Sequence, residues 1–246
     1  MNKARKAIEA LKELKAYDIS PQFFSHMPAF WAHPNCWIEQ VRTRERNGYN
    51  CNLVMIGEHM GAHIDAPIHT CDDPNAWDIS KFPVDYFIAP YKKYALDRFN
   101  PEAGVEFGMD VIKKCEEEDG FSVEEGDIIL LQYGWDKYYF MEERGEIKDY
   151  IGSNTPGINE EVRKYFADKK IKAIGADSNT CELGCKDNKF VSIERSGHEV
   201  YFHPNNIPIM ENFVNMQPAP AEGLFIALPW AIRGGSGSPV RVVLYG

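Results

Sequence analysis

The 246-residue sequence has no run of lysine and arginine, and its formal net charge is −10. Phosphate backbones and anionic membrane surfaces are held by basic patches, so neither nucleic acid nor a membrane is an expected partner. No apolar stretch approaches the roughly 18 residues that a membrane-spanning helix needs. The opening MNKARKAIEALKELKAYD is charged throughout, unlike the apolar core of a secretory leader. A cytoplasmic protein is the expectation. Cysteine is sparse: Cys36, Cys51, Cys71, Cys115, Cys181 and Cys185, which read as free thiols. Cys181 and Cys185 in CELGC lack the two-residue zinc-knuckle spacing and have no second pair, so a soft-metal clip is the lesser reading. The zinc-protease pattern HExxH is absent, as are internal repeats, low-complexity tracts and linkers.

Hydrophobic residues make up 44% of the chain and charged residues 26%, the balance of an ordinary globular protein. One domain over 1–246 is expected, with strands and helices mixed along it. In 1–16, Ala7, Ile8, Leu11 and Leu14 recur at helical spacing, predicting an amphipathic helix that docks on the body or on a partner. NLVMIGEH, the end of IAPYKKYALDRF, DIILLQYG, IKAIGAD, LFIALPW and PVRVVLY read as strands. MDVIKKCEEE, WDKYYFMEE and PGINEEVRKYFADKK read as helices, and GHEVYFHPNNIPIMEN as a short helix, a turn and a strand. AIRGGSGS precedes a strand rather than a helix, so it reads as a hairpin connection and not a phosphate loop.

The chain holds seven histidines, and three fall within EHMGAHIDAPIH, positions 58–69. Residues two apart on an extended chain face the same side, so His63 and Asp65 can converge. Gly61 permits a positive φ or a close approach. Pro67 pushes Ala66 toward extended geometry, which can return His69 to the same place. Imidazole and carboxylate together suit a divalent ion such as Zn or Mn, and the two oxygens of Asp65 can bridge two ions. With four candidate ligands, one is free for another task, and a histidine is a natural acid and base near neutrality.

HMGAHIDAPIH resembles the HxGTHxDxPxH signature of the cyclase family of metal-dependent hydrolases, which includes bacterial kynurenine formamidases and isatin hydrolases; Ala62 stands where threonine is usual. YDIS, GDIILLQYGWDKYY, PGINEEVRKYFADKKIKAIGADSNTCE, NNIPIMENF and GSPVRVVLY are similar to further family segments, in order along nearly the whole chain. The resemblance implies a mixed α/β fold of the swivelling β/β/α type, with a barrel-like mixed sheet and flanking helices. It implies that His59, His63 and Asp65 hold one ion, that Asp65 shares a second with His198 and Glu211, and that His69 moves the proton. One or two Zn or Mn ions per chain are thereby expected. His198 precedes Glu211 by thirteen residues, one more than the family spacing; His203 is the competing late histidine. Trp31 is the implied substrate contact, and a homodimer or larger homo-oligomer the implied assembly.

The implied activity is hydrolysis of an amide, cyclic amide or ester of a small molecule by metal-activated water, as in arylformamidases. Phe23, Phe24, Phe30, Trp31 and Trp37 form an aromatic early segment that can stack on a flat substrate or simply pack. An isatin or lactam hydrolase, a metal-retaining protein without turnover, a closed structural metal site and a cysteine nucleophile at Cys71 remain as alternatives.

Overall fold

The computed structural model describes residues 2–30, 33–139, 155–183, 185–186, 189–190 and 197–246. Its strands in chain order are β1 (Ala16–Asp18), β2 (Trp37–Arg42), β3 (Cys51–Met55), β4 (His63–Asp65), β5 (Ile88–Ala95), β6 (Glu106–Phe107), β7 (Ile128–Gln132), β8 (Gly157–Ile158), β9 (Ala173–Ala176), β10 (Cys185–Lys186), β11 (Lys189–Phe190), β12 (Ile209–Glu211), β13 (Glu222–Ala227), β14 (Gly237–Pro239) and β15 (Val242–Tyr245). The α-helices are α1 (Lys3–Glu13), α2 (Arg44–Asn47), α3 (Met109–Asp119) and α4 (Glu160–Asp168).

Nine strands form one sheet in the order β1-β15-β13-β5-β7-β9-β12-β4-β14, curled into a half-barrel. The middle ladders β5/β7, β7/β9 and β9/β12 are parallel, and the flanking ones are antiparallel. This is the mixed α/β architecture with a barrel-like sheet that the sequence led us to expect. The short apolar run IILLQ is buried along its whole length, as suits a strand covered on both faces. Ile129 and Leu131 join the cluster beneath α3 and α4, with Ile112, Val162 and Phe166. Ile128 and Leu130 join the opposite cluster, with Ile64, Met210 and Phe225.

Several boundaries differ from expectation. In IAPYKKYALDRF the strand comes first, and Leu96–Phe99 forms a 3-10 turn. Pro90 argues for a strand only after it, but the β7 ladder begins at Tyr91, so the missing N–H of Pro90 costs that ladder nothing. In PVRVVLY the strand starts later than expected, at Val242: β15 pairs with β13 and β1, while Pro239 ends β14, which pairs with β4. β3 stops at Met55, short of the histidine motif. WDKYYFMEE begins as a 3-10 turn at Asp136–Tyr138, and its residues from 140 on lie outside the described ones. α1 forms as predicted, capped by Asn2, but buries no residue against the body. β2 and β3 pair only with each other among the described strands, and expose Trp37, Leu53, Val54 and Met55.

Candidate metal centre

The site begins with strand register. β12 lies beside β4 so that Glu211 faces His63 and Ile209 faces Asp65. Directly opposed residues of an antiparallel pair share a face, so His63, Asp65 and Glu211 project together. Ile64 and Met210 point to the opposite cluster. His63 Nε2 lies 3.2 Å from Asp65 Oδ1 and 3.4 Å from Glu211 Oε2. One donor atom from each of His63, Asp65 and Glu211 lies within 4.8 Å of the others.

The loop before β4 adds His59. Gly61 adopts φ +58°, and a Cβ there would come within 2.9 Å of the Phe23 ring. Glycine therefore meets both demands at that position, positive φ and close approach. His59 Nδ1 lies 2.5 Å from Asp65 Oδ1, and its Nε2 lies 2.9 Å from Ser236 Oγ. Ser236 in turn donates its N–H and its hydroxyl to Glu58 Oε2. The glycine-rich stretch is thus packed on the site: a Cβ on Gly237 would lie 2.6 Å from His59 Cε1. After β4, Ala66 is extended (φ −80°, ψ 153°), and the 3-10 turn Pro67–His69 brings the His69 ring centroid 4.1 Å from that of His59. His59, Asp65 and His69 form a second potential donor group.

His198 enters from a π-helical turn, Gly197–Phe202, a rare geometry that is frequent at functional sites. Its Nε2 lies 3.7 Å from Asp65 Oδ2 and 3.6 Å from Glu211 Oε1. Its Nδ1 lies 2.5 Å from Glu182 Oε1. His203, the rival late histidine, stands further round: its Nδ1 is 2.6 Å from Thr70 Oγ1 and its buried Nε2 has no hydrogen-bond partner among the described residues. His33 also joins the rim, with ring centroids 5.4 Å from His59. Trp31 lies outside the described residues. Phe23 packs against the core, whereas Phe24 and Trp37 are exposed.

The donor set fits a divalent cation. His63 Nδ1 donates to the Gly61 carbonyl at 2.8 Å and His198 Nδ1 to Glu182, so each ring turns Nε2 toward the same two carboxylates. Metal-bound histidines are held in this manner by a carbonyl or carboxylate on the far nitrogen. Asp65 is 2% exposed and Glu211 8%, so two negative charges converge in a dry place. Burial alone would lower the pKa of His63, yet Asp65 and Glu211 raise it to about 10. Burial likewise opposes protonation of His198, which Asp65, Glu182 and Glu211 nonetheless push well above the usual histidine range. Asp65 falls well below the usual carboxylate range despite its burial, because His59, His63 and His198 surround it. The site has the negative potential that a cation would neutralise. His69 differs: burial lowers its pKa, against the opposing pull of Asp65.

A family model described as putative cyclase matches residues 17–182. The chain belongs to the cyclase family. Isatin hydrolase of Roseibium aggregatum is 27% identical over 223 residues, covering 85% of this chain and 81% of the relative. Kynurenine formamidase of Bacillus cereus is 25% identical over 200 residues, covering 81% and 82%. An isatin hydrolase bound to the product analogue thioisatinate superposes with a TM-score of 0.86 at 21% identity, over 100% of this chain and 99% of the other. Isatin hydrolase A from Labrenzia aggregata, bound to benzyl benzoate, gives 0.84 at 21% identity over 99% of both chains. At that identity the likeness is one of fold.

Within this cyclase-family chain, sequence reasoning missed Glu58, Ser236, Glu182, Thr70 and His33. Glu58 opens the stretch EHMGAHIDAPIH and Thr70 directly follows it, so both were open to inspection. Ser236 and Glu182 act across 177 and 16 residues, with no periodicity to announce them.

Proposed function

We propose that this protein is a metal-dependent hydrolase that cleaves a carbon–nitrogen bond of a small amide, with an aryl formamide or a cyclic amide as the substrate class. The observation that carries the reading is Asp65, common to both donor groups, with His69 beside it. In this reading His59, His63, Asp65, His198 and Glu211 hold one or two divalent ions, and imidazole with carboxylate suits Zn or Mn. When bound, such an ion supplies Lewis acidity toward the scissile carbonyl and acidifies water.

The chain's own groups do the rest. His69 is only part-buried at the end of its turn, so it can exchange protons with solvent. In its neutral form the ring accepts the proton of the attacking water and returns it to the leaving nitrogen. Glu58, through Ser236, fixes the orientation of His59. Trp31, outside the described residues, is the substrate contact that the family resemblance implies. The names of the two curated relatives support a carbon–nitrogen substrate, and both a formamide and a lactam are kept for test.

We also propose a homo-oligomer. An isolated two-stranded hairpin is marginal in water, and here β2 and β3 carry Trp37, Leu53, Val54 and Met55 exposed. Elution with light scattering tests this directly; a monodisperse monomer at micromolar concentration removes it.

The test of function is a panel of N-formylkynurenine, isatin, simple lactams and aryl esters, with chelator-stripped protein and protein reloaded with Zn²⁺ or Mn²⁺. The reading predicts turnover of a formamide or cyclic amide only by the reloaded protein. Metal retention without turnover of any compound would make the chain a binding protein on this fold.

A further inference from the structure

One buried acid of the site has no part in the mechanism above. Glu182 is 5% exposed and follows Cys181 on a loop, where its backbone bridges to Ile158. Both of its oxygens converge on one short segment. Oε2 accepts the Gly197 N–H, and Oε1 takes His198 Nδ1–H at 2.5 Å with the His198 N–H at 3.4 Å. Arg163 backs the carboxylate, with Nε 3.9 Å from Oε2 while its Nη1 donates to the Ile158 carbonyl at 2.6 Å. Only glycine fits at 197: a Cβ there would stand 2.8 Å from Glu182 Oε2, Arg163 Cδ and the Phe202 ring. The carboxylate therefore fixes the backbone entering the π-turn and the ring it carries in a single clamp.

We propose that Glu182 is a positioning residue that sets the tautomer and aim of His198, so that its Nε2 lone pair faces the cation position between Asp65 and Glu211. An anionic acceptor at Nδ1 keeps the proton on that nitrogen and leaves Nε2 free. It also makes the imidazole a stronger donor to a cation, as carboxylates behind metal-bound histidines do. Among the described residues, Glu182 Oε1 is the acceptor at Nδ1, and Gly197 and Arg163 present donors to the carboxylate. The inference rests on the proposal that this is a metal centre.

The test is Zn²⁺ titration of chelator-stripped protein by calorimetry, wild type against Glu182→Gln, which keeps the shape and removes the charge. Binding at the His198 position is expected to weaken about 10–100-fold in the folded variant. A second readout needs no variant: in Zn²⁺-loaded wild type, long-range ¹H–¹⁵N spectra should show His198 protonated at Nδ1. Wild-type affinity in Glu182→Gln, or a His198 protonated at Nε2, overturns the positioning role alone. A wild type that takes up no Zn²⁺ overturns the metal reading and this inference with it.

Discussion

At the scale of the residue, His69 is the group proposed to move the proton rather than hold the ion. It lies beside His59 and Asp65, close enough to be a third donor, yet its position at the end of a turn gives it the access to solvent that proton transfer needs. His69→Ala is expected to lose about 10²–10⁴-fold in kcat, the usual worth of a positioned acid and base, with metal content per chain unchanged. Steady-state kinetics beside elemental analysis checks both halves. Much of this was legible in the sequence because the motif is local. The same-side rule placed His63 with Asp65, Gly61 did take a positive φ, and Ala66 before Pro67 is extended. The roles of Glu182 and Ser236 were not legible, because each depends on a loop arriving from elsewhere in the chain.

Between elements, the site depends on close backbone approach as much as on side chains. β8 lies against the loop that carries Glu182, and a Cβ on Gly157 would come within 2.2 Å of Leu183 N and 2.3 Å of the Glu182 carbonyl carbon. Backbone cannot yield as a side chain does. Gly157→Ala is expected to cost about 1–3 kcal/mol, the range of overpacking, and to weaken metal binding by displacing Glu182. Urea denaturation and metal titration of the one variant measure the two effects. Helices α3 and α4 were readable from their apolar faces, and β7 from its unbroken apolar run. The break between β14 and β15 was not, since nothing in a continuous β-type pattern reveals that one strand ends at Pro239 and that Val242–Tyr245 pairs with other neighbours.

For the whole molecule, buried phenols set the alkaline limit of stability. Burial pushes Tyr86 up to about 12, and pushes Tyr91, Tyr94, Tyr133 and Tyr139 higher still. Unfolded tyrosine titrates near 10. Above that pH the unfolded chain releases protons that the folded chain keeps, so the phenols' contribution is full below about pH 10 and is lost as pH rises. Each fully buried phenol removes about 1.4 kcal/mol per pH unit. Burial also raises the thiols of Cys36, Cys115 and Cys181, which adds to the loss, whereas Lys93, whose pKa burial lowers, acts the other way. Denaturation midpoints at pH 8, 10 and 11 should drop steeply between the last two; a flat profile would mean that these phenols are hydrated.

The order of the nine strands was beyond the sequence, because it is a property of long-range pairing that no local pattern encodes. That order nevertheless makes the site, by laying β12 against β4 in the register that sets Glu211 opposite His63. If this convergence serves to hold a divalent ion, metal per chain after reconstitution with Zn²⁺ or Mn²⁺ and exhaustive dialysis separates wild type from Asp65→Ala. One or two equivalents are expected in the wild type and none in the variant, because both donor groups share Asp65. A wild type that retains no ion, or an Asp65→Ala protein that retains the full amount, would contradict that role.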